Sequence, residues 1–93
     1  MSKRGVATKL IDNDRVRVVQ WRLEPEAATG FHRHEFDYVI VPIRDGTLLI
    51  KESAGERRVE LTAGQPYFRQ EGVEHDVING GETEVIFVEV EIK

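Results

Sequence analysis

Residues 64–79 read Gly64-Gln65-Pro66-Tyr67-Phe68-Arg69-Gln70-Glu71-Gly72-Val73-Glu74-His75-Asp76-Val77-Ile78-Asn79. Gly64 and Gly72 suit tight turns, because glycine alone tolerates left-handed backbone at no steric cost. Asn79 suits a turn it can cap with its own side chain. Short strand-forming runs lie between these markers, and His75 falls in one of them. The same rhythm extends outward in both directions. Val16, Val18 and Gln20 alternate with Arg15, Arg17 and Val19; Leu48 and Ile50 alternate with Leu49 and Lys51; Glu89-Val90-Glu91-Ile92 alternates strictly between charge and apolar. Alternation of period two marks strands with one face buried and one wet. Asp12-Asn13-Asp14, Asp45-Gly46, Ser53-Ala54-Gly55-Glu56 and Asn79-Gly80-Gly81 interrupt the runs with turn residues. Glu24-Pro25-Glu26-Ala27-Ala28 has room for one helical turn and no more. Many short strands at regular spacing predict an all-β barrel or sandwich of roughly eight to ten strands.

With 93 residues, the chain is the length of one domain spanning 1–93. It has no cysteine, so neither disulfides nor thiolate ligands are available. A domain this small gains from burying a further face, which favours a homodimer. Val6–Ile11 and Glu84–Ile92 are the strands expected at its edges or interface. The formal charge is −4 with both signs mixed along the chain, so nucleic acid is not an expected partner. Lys3-Arg4 and Arg57-Arg58 read as solvated surface. The longest apolar stretch, Tyr38-Val39-Ile40-Val41-Pro42-Ile43, is far too short to span a bilayer as a helix. No apolar segment follows Met1-Ser2-Lys3-Arg4, so no signal peptide is expected and the reading is cytoplasmic. Ser2 and Ser53, at the terminus and in a turn, are poorly placed for a serine triad. No phosphate loop is present.

The chain has three histidines. His32 and His34 are two apart, so on a strand both imidazoles stand on one face. His75 lies far along the chain, and a closed barrel brings such positions together. Three imidazoles with open positions suit a transition metal better than magnesium or calcium. The expected cofactor is therefore one divalent ion among Fe, Ni, Zn, Mn and Cu, held by His32, His34 and His75. Acid is expected to weaken binding, because imidazole must be neutral to ligate and its unperturbed pKa is about 6.5.

These residues resemble the two motifs of the cupin family (the RmlC-like cupin superfamily). The second motif is glycine, five residues, proline, one residue, glycine, two residues, histidine, three residues, asparagine. Gly64, Gly72, His75 and Asn79 stand in register, with Gln70 in place of the proline. The first motif has a His-x-His pair, then a glutamate and a glycine; His32, His34 and Gly46 match. Glu26 stands where that motif begins with glycine. The metal-binding glutamate falls on Tyr38 when counted from His34, or on Val39 when counted back from Gly46. Glu35 and Asp37 are nearby, but a one-residue shift turns a strand side chain to the other face. The resemblance implies a double-stranded β-helix (jelly-roll) barrel, a homodimer, and a small-molecule ligand inside the barrel.

Two readings follow from the missing glutamate. In one, the site is a three-histidine centre with open positions, as in some cupin dioxygenases, with Tyr38 donating a hydrogen bond to a bound species. In the other, the site has lost its metal. The functions open to the chain are a metal-dependent oxygenase or isomerase for a small organic molecule, a non-catalytic ligand-binding cupin, or a structural cupin working through its dimer face. Arg69, Gln70, Tyr67, Trp21 and Arg22 are candidates for the barrel mouth, where an arginine suits a carboxylate or phosphate. For Trp21 and Tyr67 the stronger reading is core or dimer-face aromatic. Phe31 or Phe36 is a candidate wall of the pocket, and Phe68 and Phe87 read as core.

Overall fold

A computed structural model describes residues 3–93; Met1 and Ser2, and with them the terminal serine considered above, lie outside it. Eleven strands follow in order: β1 (Lys3–Arg4), β2 (Val6–Asp12), β3 (Val16–Leu23), β4 (Ala27–Ala28), β5 (His32–Arg33), β6 (Asp37–Pro42), β7 (Gly46–Glu52), β8 (Gly55–Leu61), β9 (Tyr67–Arg69), β10 (Glu74–Asn79) and β11 (Val85–Ile92). The count exceeds eight to ten because β1, β4 and β5 are two-residue pairings too short to show as alternation. One sheet runs β1-β4-β10-β7-β8 with β5 also paired to β10, and the other runs β2-β3-β11-β6-β9. Among the described residues no helix is long and apolar enough to cross a membrane.

The expected turns fall where the sequence placed them. Asn13 Oδ1 accepts from the amides of Arg15 and Val16 at 2.8 and 3.0 Å, closing the β2–β3 turn. Ser53-Ala54 joins β7 to β8 as a hairpin whose last pair is Glu52 with Gly55. Gly64 and Gly72 have φ of 76° and 91°, as their turn assignment requires. Gly46 differs: its role is close approach, since a Cβ there would stand 2.8 Å from Val85 Cγ2. Asn79 does more than cap a turn. Its buried amide donates to the carbonyls of Leu23 and Thr83 at 2.8 Å each, and its Oδ1 accepts from Gly81 N at 2.8 Å. It thereby ties β10 to the end of β3 and to the approach to β11.

Glu24–Ala28 forms no helical turn. Ala27 N donates to Glu24 O at 2.8 Å across a β-turn, with Pro25 and Glu26 at its centre, and the chain then enters β4. Pro25 pre-sets the first central position, and the second requires positive φ. Glu26 adopts φ 72° there, at the position where the motif has glycine. Left-handed backbone costs a non-glycine residue about 1–2 kcal/mol, against a glycine entropy penalty of about 0.5–1 kcal/mol. Glu26→Gly is therefore expected to stabilise the protein by about 0.5–1 kcal/mol in denaturant titrations. A loss of stability would show that the Glu26 side chain contributes more than its backbone strain costs.

The core lies between the sheets and is built from Leu23, Ala27, Tyr38, Ile40, Leu48, Ile50, Leu61, Val77, Val85 and Phe87, with Trp21, Val59 and Tyr67 packed against it. Phe68 is not core: it is 53% exposed on the outer face of β9. Phe31 is 68% exposed, and the Phe36 ring lies under the Arg17 guanidinium at 5.9 Å. Neither phenylalanine lines the barrel interior: Phe31 alternates away from His32, and Phe36 lies in the bend between β5 and β6, where strand alternation does not hold.

Candidate metal centre

The site is assembled by register. His32 and His75 are directly opposed across β5 and β10. His34 continues that pairing beyond β5: its amide donates to Val73 O at 2.9 Å, and Gly72 N donates to its carbonyl at 2.8 Å. The positive φ of Gly72 lets β10 start beside His34. All three side chains thus reach one interior point. His34 Nε2 stands 3.0 Å from His32 Nε2 and 3.1 Å from His75 Nε2.

This donor set fits a transition metal. Nitrogens that each bind one ion at about 2.0–2.1 Å stand about 3 Å apart when they occupy neighbouring positions of a six-coordinate shell. Gly30 O accepts from His32 Nδ1 at 2.7 Å. That bond places the proton on Nδ1 and leaves Nε2 bare, the arrangement a metal-ligating histidine requires. His75 Nδ1 is buried and, among the described residues, has no hydrogen-bond partner. His34 is held by its ring, stacked on Tyr38 with centroids 3.8 Å apart and planes 15° apart.

Burial, and then the neighbouring imidazoles, hold both His34 and His75 down to about 4. Both are therefore neutral and ready to ligate far below the ordinary imidazole value, which moves the expected onset of acid competition at these two residues toward pH 4. Two strand-11 carboxylates complete the surroundings. Glu91 receives a two-pronged hydrogen bond from Arg17, at 3.0 Å from Nε and 2.9 Å from Nη2. Glu89 Oε1 stands 3.8 Å from His34 Nε2. Burial, reinforced by Glu91, pushes Glu89 up to about 7. With His34 neutral, this approach is no ion pair at neutral pH.

In the metal-free protein these shifts make stability depend on pH. His34 and His75 bind protons in the unfolded chain below about 6.5 but resist them in the native state until about 4. Their contribution is present above about 6.5 and is lost as pH falls toward 4. Glu89 acts oppositely, favouring the native state below its ordinary value and losing that contribution as pH rises through about 7. Two imidazoles against one carboxylate leave a net rise from about pH 4.5 to 6.5, on the order of 1 kcal/mol per pH unit. Urea titrations in the presence of chelator should show this rise, and a flat profile would contradict the burial of the two imidazoles.

Tyr38, not Val39, occupies the inward position where the motif's glutamate would stand. Tyr38 is 2% exposed, whereas Val39 pairs on the outer face with Phe68 and Val90. Counting from His34 gives the correct register. Asp37 points elsewhere, accepting Glu71 N at 2.8 Å. Arg69 and Tyr67 do line the interior, with the Arg69 guanidinium 5.3 Å from the centre of the Tyr67 ring. Arg22 turns outward to Glu84 at 3.5 Å, and Gln70 and Trp21 do not line the cavity. Glu89 is the site residue that sequence reasoning missed.

Two spaces meet at the histidines. An inner cavity of about 20 Å³ is bounded by His32, His75, Tyr38, Tyr67, Arg69 and Glu89, and its wall is otherwise apolar apart from Thr29. An open cleft of about 290 Å³ is bounded by Arg17, His32, Arg33, His34, Glu89 and Glu91, with Glu35 at its rim. The molecule is thus a double-stranded β-helix barrel that gathers three imidazoles at an interior point open to solvent.

The chain belongs to the cupin family: the profile of the cupin domain matches residues 19–91. It is 55% identical over 89 residues to the β-alanine degradation protein BauB of Pseudomonas aeruginosa, covering 96% of this chain and 94% of that one. The crystal structure of a cupin domain from Bordetella pertussis Tohama I superposes with TM-score 0.97 at 48% identity, over 100% of this chain and 97% of that one. An RmlC-like cupin from Methanocaldococcus jannaschii shares the fold at TM-score 0.80 and 16% identity, over 98% and 82% of the two chains.

Proposed function

We propose that this cupin binds one divalent transition metal ion through His32, His34 and His75 and acts on a small organic carboxylate. The observation that carries the reading is the convergence of three imidazole Nε2 atoms, two of the contacts being 3.0 and 3.1 Å. An ion held there supplies Lewis acidity or, if redox-active, an electron-transfer centre. The chain's own residues supply orientation. Arg69 lines the inner cavity stacked on Tyr67 and, among the described residues, has no carboxylate partner. A free guanidinium fork in an apolar wall suits a carboxylate group. The Pseudomonas relative is named for β-alanine degradation, which supports β-alanine or a short carboxylate derived from it as the ligand.

A non-catalytic cupin, ligand-binding or structural, is the second reading, favoured over turnover by the smallness of the inner cavity. Its 20 Å³ corresponds to about one or two water centres, room for a polar head group but not for a whole substrate. Untagged protein is expected to contain near one metal per chain and to bind β-alanine or its short carboxylate derivatives in calorimetric titrations. Absence of metal sinks the metal-binding reading. Metal without turnover of a bound carboxylate, with or without oxygen, selects the second reading.

A homodimer is part of the proposal, supported by the outer face of the β2–β9 sheet. Ile11, Val18, Val90, Val39 and Phe68 are successive cross-strand partners on it. Ile11 and Phe68, at its ends, are about half exposed, Val39 and Val90 are partly exposed, and Val18 is already buried; exposed apolar residues grouped in this way mark an association surface. Light scattering is expected to give twice the chain mass, and Phe68→Glu to give the monomer.

A further inference from the structure

The first cupin motif draws a carboxylate from the position that Tyr38 fills here, and Tyr38 has none to give. The other carboxylates near the histidines are, with one exception, committed or turned away: Asp76 accepts from Gly30 N at 3.1 Å and Glu52 from Arg57 Nε at 2.7 Å. Glu91 is engaged through both oxygens by Arg17 at 3.0 and 2.9 Å. Asp37 is bonded to the Glu71 amide at 2.8 Å. Glu35 is exposed at the rim of the open cleft. Glu89 remains. Its residue surface is 9% exposed, and it borders both the inner cavity and the cleft. Among the described residues it accepts no hydrogen bond, and its close polar contact is His34 Nε2 at 3.8 Å. Burying a carboxylate without hydrogen bonds costs several kcal/mol unless a cation compensates it.

We infer that Glu89, on β11, supplies to the metal ion the carboxylate donor that is missing from β6. The inference rests on the metal-binding reading above. Two donors on one ion at about 2.0–2.2 Å stand roughly 3–3.5 Å apart, so the 3.8 Å approach to His34 closes by a small rotation about the side-chain torsions of glutamate. The direction of approach is set by the strand. Phe87, Glu89 and Glu91 share the inward face of β11, and Glu89 is the member of that face next to His34 whose oxygens are free. The carboxylate has moved from the strand that follows the His-x-His pair to the neighbouring strand in the same sheet, paired with it at Ile40.

The test uses the full chain and zinc alone. Infrared difference spectra of wild type on zinc addition are expected to show a shift of carboxylate stretching bands. Glu89→Gln is expected to lose that shift and to bind zinc at least tenfold more weakly in chelator competition. The amide keeps the shape of the side chain, and removing an uncompensated buried carboxylate should leave the thermal midpoint of the zinc-free variant at or above that of wild type. Zinc uptake by wild type without any carboxylate shift overturns the assignment of Glu89 whatever the variant does. So does a Glu89→Gln variant with unchanged affinity or an unchanged difference spectrum. If wild type takes up no zinc the assignment of Glu89 fails, and if iron and nickel added in its place are not taken up either, the metal-binding reading fails with it.

Discussion

Replacement of His75 by alanine is expected to reduce the metal content of purified, untagged protein from near one ion per chain to near none. Structural zinc sites of four side chains in zinc-finger peptides total on the order of 10–16 kcal/mol at neutral pH, about 3–4 kcal/mol for each ligand. Losing one of three imidazoles therefore costs about 3 kcal/mol or more, a weakening of about a hundredfold or greater. His75 is the informative position. It comes from β10, whereas His32 and His34 come from the segment around β5, so its loss removes the imidazole that the second motif brings to the site. The variant should still fold, because His75 donates no hydrogen bond from its buried Nδ1. Its outward neighbours Glu74 and Asp76 keep their pairing with Arg33 and Lys51. Elemental analysis beside a thermal melt in chelator separates the outcomes. Metal retained at parent levels would show that His32 and His34 suffice with another donor. A variant that melts far below the chelated parent would give His75 a structural role instead.

The site was legible in the sequence wherever spacing alone decides the face. His32 and His34 share a side because they are two apart on a strand, whereas His75 joins them in the sequence only through the resemblance of residues 64–79 to the second cupin motif. Sequence left open which face of an alternating strand is inside. In Glu89-Val90-Glu91-Ile92 the usual expectation sends the charges to water. The structure does the reverse, burying Glu89 at 9% and Glu91 at 5% exposure while Ile92 is 46% exposed. A signal for this was present: Phe87 reads as core, and residues two and four positions on from a core residue share its face. The same inversion explains Val39 and Val90, partly exposed apolar residues placed outward where a second chain could cover them. Gly46 was misread for a related reason, since close backbone approach to Val85 depends on a partner far along the chain. Glu26 kept the backbone conformation of a motif glycine without the glycine, which no local propensity discloses.

Tyr38→Ala is expected to be the most destabilising single substitution among the site residues, and to weaken metal binding as well. The ring is almost wholly buried within the core cluster. Truncating a buried aromatic to alanine costs about 3–5 kcal/mol, the lost transfer energy plus that of the cavity left behind. For a domain of this size such a loss lowers the thermal midpoint by tens of degrees. The effect on metal arises separately. The Tyr38 ring stacks face to face on His34 at 3.8 Å, and His34 is the imidazole within about 3 Å of both others. Without that wall the His34 ring is free to tilt and its Nε2 leaves the common point. Tyr38→Phe keeps the ring and deletes the hydroxyl, so it should melt within a few degrees of the parent and hold metal equally well. That pair of variants also tests the hydroxyl as a group acting on ligand. If Tyr38→Phe binds metal normally but loses turnover or carboxylate affinity, the hydroxyl contacts the ligand. If it behaves as the parent in every respect, Tyr38 serves the site through its ring alone, and the chain has replaced a metal-binding glutamate by a wall that aims His34.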